Sequence, residues 1–295
     1  MRLTRCLLLG AAFVAGRGAA GAPTRYLAAA GDIATCDGGG QEATVALLDA
    51  LLPPSMRLDT GLVAALGDNA YESGSKEEYL ACYHPTWGRH KARTRPAVGN
   101  HEYVTAGASA YFEYFGAAAG DPARGYYSFD HGAWHVVALN SNCAEVGGCQ
   151  AGSPQETWLR ADLAAHSAAC TLAFWHHPRF NSGAVHGDAG FMRDIWQALM
   201  DHGADVVLAG HEHLYERFAP LDADGQPDAA GPRSFVVGTG GRALYPFGPP
   251  RTGSEARDNT SHGVLWLTLR PEGYDWLFVP APPGTFSDAG SDLCR

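Results

Sequence analysis

The chain has 295 residues, of which 46% are hydrophobic and 18% are charged, a composition typical of a globular protein that buries a core. Its 21 Lys and Arg against 31 Asp and Glu give a formal charge of −10, and the basic residues form no dense block. The sequence therefore excludes the basic surface that a stable nucleic-acid partner requires.

The first 22 residues have the features of an export signal. Arg2 and Arg5 form a short basic start, and residues 6–15 (CLLLGAAFVA) form an apolar core that is followed by small residues. This core is too short for a membrane-spanning helix, and we expect no membrane span later in the chain. We expect a signal peptide over residues 1–22, a secreted or extracytoplasmic protein, and a single domain over residues 23–295. The alternative for the start is a buried strand or helix.

Removal of the signal leaves six cysteines, an even number that favours disulfide bonds in an exported chain. Cys143 and Cys149 lie close together in a loop with two glycines, and we expect them to pair. The spacing leaves the pairing of the others open; these are Cys36, Cys82, Cys170 and Cys294. None of the six has C-x-x-C spacing, which argues against a cysteine zinc site.

Strands and helices alternate along the remainder of the chain. In chain order, we expect a strand at 26–30, a helix at 41–52, a strand at 62–66, a short extended segment at 96–98, a hairpin at 126–141, a helix from the Ser153 capping box towards His166, a strand at 172–175, a helix at 191–202, and strands at 205–209, 234–237, 264–269 and 274–279. The strands are too many, and too often separated by helices, for a helical bundle or a plain β sandwich. The pattern predicts an α/β protein.

Five strand ends carry polar side chains of the same kind. They are Asp32 in GDIA, Asp68 and Tyr71 in GDNAY, Asn100 and His101 in GNHE, His176 and His177 in WHHP, and His211 and His213 in GHEH. Ligands of open α/β sheets gather at the carboxyl ends of strands, and the neighbouring glycines let the backbone turn sharply. Carboxylate, phenol, amide and imidazole donors suit iron, zinc or manganese. The motifs together predict a metal centre, although each one alone is compatible with an ordinary turn or a packed side chain.

These motifs, in this order, resemble the signature of the binuclear metallophosphoesterases of the calcineurin-like phosphoesterase superfamily. The tyrosine of GDNAY is similar to that of the purple acid phosphatase branch. The resemblance covers nearly the whole chain after the signal. It implies a four-layer α/β/β/α sandwich, in which two packed mixed β sheets are flanked by helices. We expect the long N-terminal β domain of the plant members to be absent.

The resemblance also implies a set of metal ligands. One metal would be held by Asp32, Asp68, Tyr71 and His213, and the second by Asp68, Asn100, His176 and His211, so that Asp68 bridges them. It implies iron(III) with a divalent zinc, iron or manganese ion. Two carboxylates, a phenolate and a bridging hydroxide would leave such a pair with one positive charge, which would let an acidic protein bind phosphate.

Three histidines near these motifs need separate assignments. The family pattern places the ligand at His176 rather than His177. His101 matches a family histidine that contacts the phosphate, and His186 matches a position for protonation of the leaving group. We expect His101 and His186 to be the catalytic residues, and His177 to line the pocket or only to pack. We expect the remaining histidines to be structural or on the surface: His84, His90, His131, His135, His166, His202 and His262.

The expected function is a secreted phosphatase of the acid phosphatase type. It would hydrolyse small phosphomonoesters by in-line attack of a metal-bound hydroxide, without a covalent phosphoenzyme. One alternative is a phosphodiesterase or nucleotide hydrolase on the same metal site. Another is a non-catalytic exported binding protein that contains metal, but a structural site normally closes its coordination with Cys and His. The sequence leaves the oligomeric state open.

Overall fold

The computed structural model describes residues 22–295, so the expected signal peptide, apart from its last residue, lies outside the described range. The strands are β1 (Arg25–Ala30), β2 (Gly61–Leu66), β3 (Thr94–Ala97), β4 (Tyr127–His131), β5 (Trp134–Ala138), β6 (Cys170–Phe174), β7 (Val206–Ala209), β8 (Tyr215–Phe218), β9 (Arg233–Val237), β10 (Ser254–Asp258), β11 (Gly263–Arg270), β12 (Gly273–Pro280) and β13 (Ala289–Leu293). The α-helices are α1 (Gln41–Leu51), α2 (Lys76–Glu78), α3 (Ser109–Phe115), α4 (Pro154–Ala165) and α5 (Arg193–Asp201).

The strands form two mixed sheets. The first sheet has the order β13-β12-β11-β1-β2-β3, and the second has the order β10-β8-β9-β7-β6-β5-β4. In the first sheet the parallel strands β1, β2 and β3 form one side, and the antiparallel strands β11, β12 and β13 form the other. In the second sheet a parallel centre (β5–β6–β7–β9) has antiparallel strands on both sides. Two mixed sheets with flanking helices are the architecture that the sequence motifs imply, and the fold prediction is confirmed.

The inner parallel strands β2 and β7 carry no polar side chain because both of their faces are covered. Every residue of β2, β5, β6 and β7 is buried. One core cluster fills the space between the sheets, where Trp134, Phe235 and Phe278 are buried. A second cluster, with Trp175 and Trp196, packs under α4 and α5. The first core joins the two sheets, and the second joins the second sheet to its helices.

Some elements have no clear signal in the sequence. The strands β10 (SEARD) and β13 (AGSDL) are polar, and the exposure of β13 alternates along its length. They are strands because their backbones pair with β8 and β12 at the sheet edges. The helix expected at 191–202 begins at Arg193, because residues 190–192 form a 3₁₀ turn.

Three disulfide bonds join the six cysteines of the described range: Cys36–Cys82, Cys143–Cys149 and Cys170–Cys294. The expected Cys143–Cys149 bond is confirmed. The Cys170–Cys294 bond ties the start of β6 to the last residues of the chain. Within residues 22–295, none of the helices has the length and apolar character needed to cross a bilayer.

Candidate metal centre

The predicted site residues meet where the carboxyl ends of both sheets come together. The Asp32 backbone N–H donates to the Gly67 carbonyl at 3.0 Å, which keeps the turns after β1 and β2 side by side. Across the gap between the sheets, His176 Nδ1 donates to the Leu66 carbonyl at 2.9 Å, and the His211 backbone N–H donates to Asp32 Oδ2 at 2.8 Å. All nine predicted site residues lie at this edge.

Three of the predicted ligands have left-handed backbone conformations. Asp32, Asp68 and His211 have φ angles of 60°, 49° and 70°, and Ala108 is the fourth non-glycine residue in the described range with positive φ. A non-glycine residue in this conformation carries about 1–3 kcal/mol of backbone strain, and it persists only where surrounding contacts hold it. The turns after β1, β2 and β7 therefore adopt this conformation because other contacts fix them, and each turn aims its side chain into the site.

The first donor group consists of Asp32, Asp68, Tyr71 and His213. Tyr71 Oη lies 2.9 Å from Asp32 Oδ1, 3.1 Å from Asp68 Oδ2 and 3.3 Å from His213 Nε2. His213 Nδ1 donates to the Ala243 carbonyl at 2.8 Å. Because a carbonyl only accepts, the Nδ1 atom carries the proton and the Nε2 lone pair is left to face the carboxylates.

The second donor group consists of Asp68, Asn100, His176 and His211. His176 Nε2 lies 3.2 Å from Asp68 Oδ2, 3.1 Å from Asn100 Oδ1 and 3.2 Å from His211 Nδ1. The bond from its Nδ1 to the Leu66 carbonyl again leaves Nε2 facing the group. Asp68 Oδ2 belongs to both donor groups, which is the arrangement expected of a bridging carboxylate.

Burial and close ionisable neighbours shift the pKa values of three predicted ligands. Burial opposes ionisation of Asp68, but the charge and hydrogen bond of His176 dominate and lower the pKa of Asp68. Reciprocally, and against the effect of burial, Asp68 raises the pKa of His176 to about 9. Burial, with the charges of Asp32 and Asp68, raises the pKa of Tyr71 well above its ordinary value. A phenolate at this position requires a strongly polarising cation, and the donor set fits a pair of metal ions.

Two glycines make room for the side chains of Asp68 and His176. A Cβ at Gly99 would lie 2.1 Å from Asp68 Oδ1 and 2.3 Å from the Asp68 backbone nitrogen. A Cβ at Gly67 would lie 2.6 Å from His176 Nδ1, and Gly67 has a φ of 86°. Both positions require glycine because a side chain would displace a predicted ligand.

Glu102 holds the turn that carries Asp68, a role that the sequence did not reveal. Its fully buried carboxylate accepts backbone N–H bonds from Asp68 (3.0 Å), Asn69 (2.8 Å) and Gly99 (2.7 Å) and a hydroxyl bond from Tyr79 (3.1 Å). Burial and the charge of Asp68 raise the pKa of Glu102 to about 7, while the N–H donors favour its ionised form. Glu102 is the last residue of GNHE, and its place in that motif was the available signal.

The two predicted catalytic histidines lie on opposite sides of the donor groups. The His101 ring lies 4.5 Å from the Tyr71 ring, and His101 Nδ1 donates to the Glu72 carbonyl at 2.6 Å. The His186 ring lies 4.1 Å from the His211 ring, and His186 Nδ1 donates to the buried carboxylate of Glu212 at 3.2 Å. In both residues the bond to Glu72 or Glu212 is made by Nδ1, so the Nε2 atom is not used in it.

The other histidine of the HHP motif, His177, has a different environment. His177 Nδ1 lies 2.8 Å from Ser141 Oγ, and its ring lies 4.3 Å from the His211 ring. Burial, followed by the positive charge of His176, lowers the pKa of His177 to about 3. His177 is therefore a neutral residue beside the second donor group.

Two further residues at the rim were not singled out from the sequence. The Tyr245 ring stacks on His213 with ring centres 3.9 Å apart and planes 13° apart. The Arg242 guanidinium lies 4.9 Å from the centre of the Tyr71 ring and pairs with Glu72 at 2.5 Å. Both come from the loop after β9, whose GGRALYPFG sequence has no secondary-structure pattern.

Comparison with known proteins identifies the family of this chain. The family model of the calcineurin-like phosphoesterases matches residues 26–215, a span that holds both donor groups and both predicted catalytic histidines. The chain belongs to the calcineurin-like phosphoesterase family. Its predicted resemblance to the purple acid phosphatases is confirmed by the curated relatives.

Among those relatives, purple acid phosphatase 22 of Arabidopsis thaliana is 35% identical over 150 residues, which cover 48% of this chain and 33% of that protein. Purple acid phosphatase 15 of the same plant is 27% identical over 216 residues, which cover 61% of this chain and 40% of that protein. The chain thus matches between a third and two fifths of the length of these phosphoesterase relatives.

Solved structures share the phosphoesterase fold at low sequence identity. A purple acid phosphatase from yellow lupin (Lupinus luteus) seeds matches with a TM-score of 0.72 and 17% identity over 91% of this chain and 53% of that chain. GAP50, described as the anchor in the inner membrane complex of Plasmodium, matches with a TM-score of 0.71 and 12% identity over 92% of this chain and 89% of that chain. At these identities the likeness concerns the fold, so function has to be argued from the site.

Proposed function

We propose that this protein is a secreted metal-dependent phosphatase that hydrolyses phosphomonoesters. One catalytic domain over residues 23–295 would follow a signal peptide over residues 1–22. The observation that carries the proposal is the position of Asp68 Oδ2, which lies 3.1 Å from Tyr71 Oη and 3.2 Å from His176 Nε2 and so joins two complete donor groups. Three disulfide bonds support an oxidising compartment.

The first donor group would hold iron(III), and the second would hold a divalent zinc, iron or manganese ion. The phenol of Tyr71 favours the harder ion, because a buried phenolate between two carboxylates needs the most strongly polarising partner. When bound, the metal pair would supply positive charge for the phosphoryl group and a water molecule of lowered pKa.

The chain's own residues would bind and orient the phosphate ester. The His101 backbone N–H donates to Asp68 Oδ1 at 2.9 Å, and its Nδ1–H donates to the Glu72 carbonyl. These two bonds fix the ring with Nε2 towards the site, 3.9 Å from Asp68 Oδ2. From this position a protonated Nε2 can donate to a phosphoryl oxygen and neutralise part of its charge.

On the other side, His186 would deliver a proton to the departing alkoxide. Glu212 accepts the Nδ1–H of the ring, and its Oε1 atom accepts the His186 backbone N–H at 3.0 Å, which favours a ring position beside His211. A general acid must lie within hydrogen-bond reach of the leaving oxygen, and Nε2 is the atom available for it. Glu212 acts as a positioning residue because it holds His186.

The experiment is a paired hydrolysis assay with 4-nitrophenyl phosphate and bis(4-nitrophenyl) phosphate. We expect rapid turnover of the monoester, and we expect Asp68→Asn to lower kcat/KM by roughly a thousandfold or more, because several kcal/mol of transition-state stabilisation depend on the metal pair. Asp59→Asn is the matched control, since Asp59 is 56% exposed and pairs with Arg57 on the surface.

The outcomes separate the three candidate functions. A strong preference for the diester, lost in Asp68→Asn, would move the function to a phosphodiesterase or nucleotide hydrolase on the same site. Failure to hydrolyse either ester, by protein that contains two metal ions per chain, would contradict the phosphatase and favour a binding protein. Equal activity of Asp68→Asn and the unchanged chain would contradict the site itself.

A further inference from the structure

A second cluster of metal-ligating side chains lies at the far end of the second sheet. Asp130 lies in the edge strand β4, His135 lies near the start of β5, and Asp162 and His166 lie at the end of α4. The strand β5 runs parallel to β6, whose carboxyl end leads to His176. The amino end of β5 is therefore remote from the proposed phosphoesterase site, and this cluster is separate from it.

His135 lies between two carboxylates. Its side chain is 1% exposed, with Nε2 2.7 Å from Asp162 Oδ2 and Nδ1 3.0 Å from Asp130 Oδ1. A neutral imidazole has one N–H and can donate to only one of these acceptors. At the other ring nitrogen, a lone pair would face a carboxylate oxygen at hydrogen-bond distance, which is repulsive unless a cation lies between them.

The hydrogen bonds around Asp162 indicate which nitrogen carries the proton. Asp162 Oδ1 accepts the Ser128 hydroxyl at 2.8 Å, and only about a tenth of its side chain is exposed. A buried carboxylate that receives the Nε2–H of a histidine is the usual outer partner of a metal-binding imidazole, because it fixes the tautomer and the ring orientation. This arrangement leaves the His135 Nδ1 lone pair directed at Asp130.

His166 brings a second imidazole to this cluster. Its Nδ1–H donates to the Asp162 carbonyl at 2.7 Å, which leaves Nε2 unprotonated in the neutral ring. The rings of His166 and His135 stack with centres 4.0 Å apart and planes 15° apart. Ligand atoms of Asp130, His135 and His166 all lie within 4.8 Å of one another.

The site is accessible and can adjust to an ion. An open cavity of about 460 Å³ is lined by Asp130, Trp134 and His166 among others, and the side chains of Asp130 and His166 are 67% and 38% exposed. Zinc bonds of about 2.0–2.2 Å require ligand atoms closer together than 4.8 Å and lying in the plane of each imidazole ring. The exposed side chains of Asp130 and His166 would therefore have to rotate, which takes the His166 ring out of its stack with His135.

We propose that Asp130, His135 and His166 bind one divalent transition-metal ion, with zinc as the best match to two imidazoles and a carboxylate. Asp162 is a positioning residue that holds His135, and water completes the coordination. The ion joins the edge strand β4 to β5 and α4. It is a third metal site, independent of the proposed phosphatase function.

The test is a calorimetric titration of zinc ions into chelator-treated Asp68→Asn protein near pH 7.5, a background in which the phosphoesterase site is weakened. The same background is compared with and without the added pair Asp130→Asn and His166→Ala. His202→Ala is the matched control, because His202 follows α5 as His166 follows α4 and is exposed. In a separate variant, Asp162→Asn changes the outer partner alone.

We expect the pair Asp130→Asn and His166→Ala to remove one zinc equivalent per chain, while His202→Ala removes none. Asp162→Asn is expected to weaken this zinc site by roughly 10–100-fold. In a chain that keeps Asp68, the double substitution Asp130→Asn and His166→Ala is expected to leave ester hydrolysis intact. Circular dichroism checks that this variant is folded. Equal zinc stoichiometry and affinity with and without the pair would overturn the proposal, and a proton would then occupy the space between His135 and Asp130.

Discussion

Asp68 is the residue on which both donor groups depend. Its Oδ1 accepts the His101 backbone N–H at 2.9 Å, and its Oδ2 faces Tyr71 on one side and His176 on the other. An ionised Asp68, Asp32 and a Tyr71 phenolate would repel one another without positive charge between them. At the scale of single residues, the requirement for cations follows from these acceptors, and the histidine tautomers agree with it because backbone carbonyls hold the Nδ1 protons of His176 and His213.

The role of His186 can be tested by varying the leaving group. His186→Ala is expected to slow hydrolysis of an alkyl phosphate by about 100-fold or more, because a poor leaving group needs the proton most. The loss with 4-nitrophenyl phosphate, which leaves as a stable phenolate, is expected to be much smaller. The measurement is kcat for both esters, with His202→Ala as control. Equal losses with both esters would contradict general acid catalysis by His186.

His131 gives a prediction about pH and stability. Burial, against a hydrogen bond from its Nε2 to the Tyr26 carbonyl at 3.1 Å, lowers the pKa of His131 from 6.5 to about 4. As the pH falls, His131 is therefore protonated in the unfolded chain at a higher pH than in the folded chain. The contribution of neutral His131 is complete above pH 6.5 and is lost as the pH falls towards 4, by as much as roughly 3 kcal/mol at about 1.4 kcal/mol per pKa unit.

Urea unfolding of the unchanged chain and of His131→Gln measures this contribution. The difference in unfolding free energy between the two proteins is expected to shrink by roughly 2 kcal/mol between pH 7.5 and pH 4.5. Only in the unchanged chain does unfolding at acidic pH let residue 131 bind a proton, and this proton uptake favours the unfolded state. A difference that stays constant over this range would show that His131 does not titrate as a buried group.

At the scale of elements, the site is built by turns that follow the strands. The turns after β1, β2 and β7 contain left-handed Asp32, Asp68 and His211, and each is held by hydrogen bonds to a neighbouring turn. Glu102 accepts three backbone N–H groups at short range and links the turn after β2 to the segment after β3. The geometry of the ligands thus depends on these turns more than on the strands.

Gly99→Ala tests this dependence. The new Cβ would lie 2.1 Å from Asp68 Oδ1 and 2.3 Å from its backbone nitrogen, so the turn itself would have to move. We expect a loss of metal content and of most esterase activity with little change in far-ultraviolet circular dichroism. The control is Gly190→Ala, because nothing lies within 4 Å of a Cβ at Gly190. Full activity of Gly99→Ala would contradict the account of this turn.

The sequence predicted the central elements and missed those at the edges, for a physical reason. The parallel strands are buried on both faces, so β2 and β6 appear as continuous apolar runs that end at a motif. The edge strands β10 and β13 have polar sequences, and they are ordered by backbone pairing that residue patterns do not record. Residue patterns also do not record the role of Glu102, because that role depends on hydrogen bonds to backbone groups distant in the sequence.

At the scale of the whole molecule, the candidate metal centre lies where two sheets bring their carboxyl ends together. Asp32, Asp68 and Asn100 follow strands of the first sheet, and His176 and His211 follow strands of the second. Neither sheet alone contains a complete donor group. The order of the motifs identified this arrangement through resemblance to a family, whereas alternation of strands and helices alone predicted only an α/β protein.

The disulfide bonds provide a test of whole-chain stability. Cys170–Cys294 closes a loop with a sequence separation of 124, against 6 for Cys143–Cys149. On the chain-entropy account, replacing the first pair by alanine is expected to lower the free energy of unfolding by about 2.7 kcal/mol more than replacing the second pair. Thermal and urea unfolding of the two double variants measure this, and a larger loss from the short loop would contradict it.

The most direct test of the central claim is a crystal structure of the active protein with anomalous diffraction data at the iron and zinc absorption edges. The account expects two peaks about 3.5–4 Å apart on either side of Asp68. The peak between Asp32, Tyr71 and His213 should be iron, and its partner should lie between Asn100, His176 and His211. An active protein with one peak or none at Asp68 would contradict the binuclear centre.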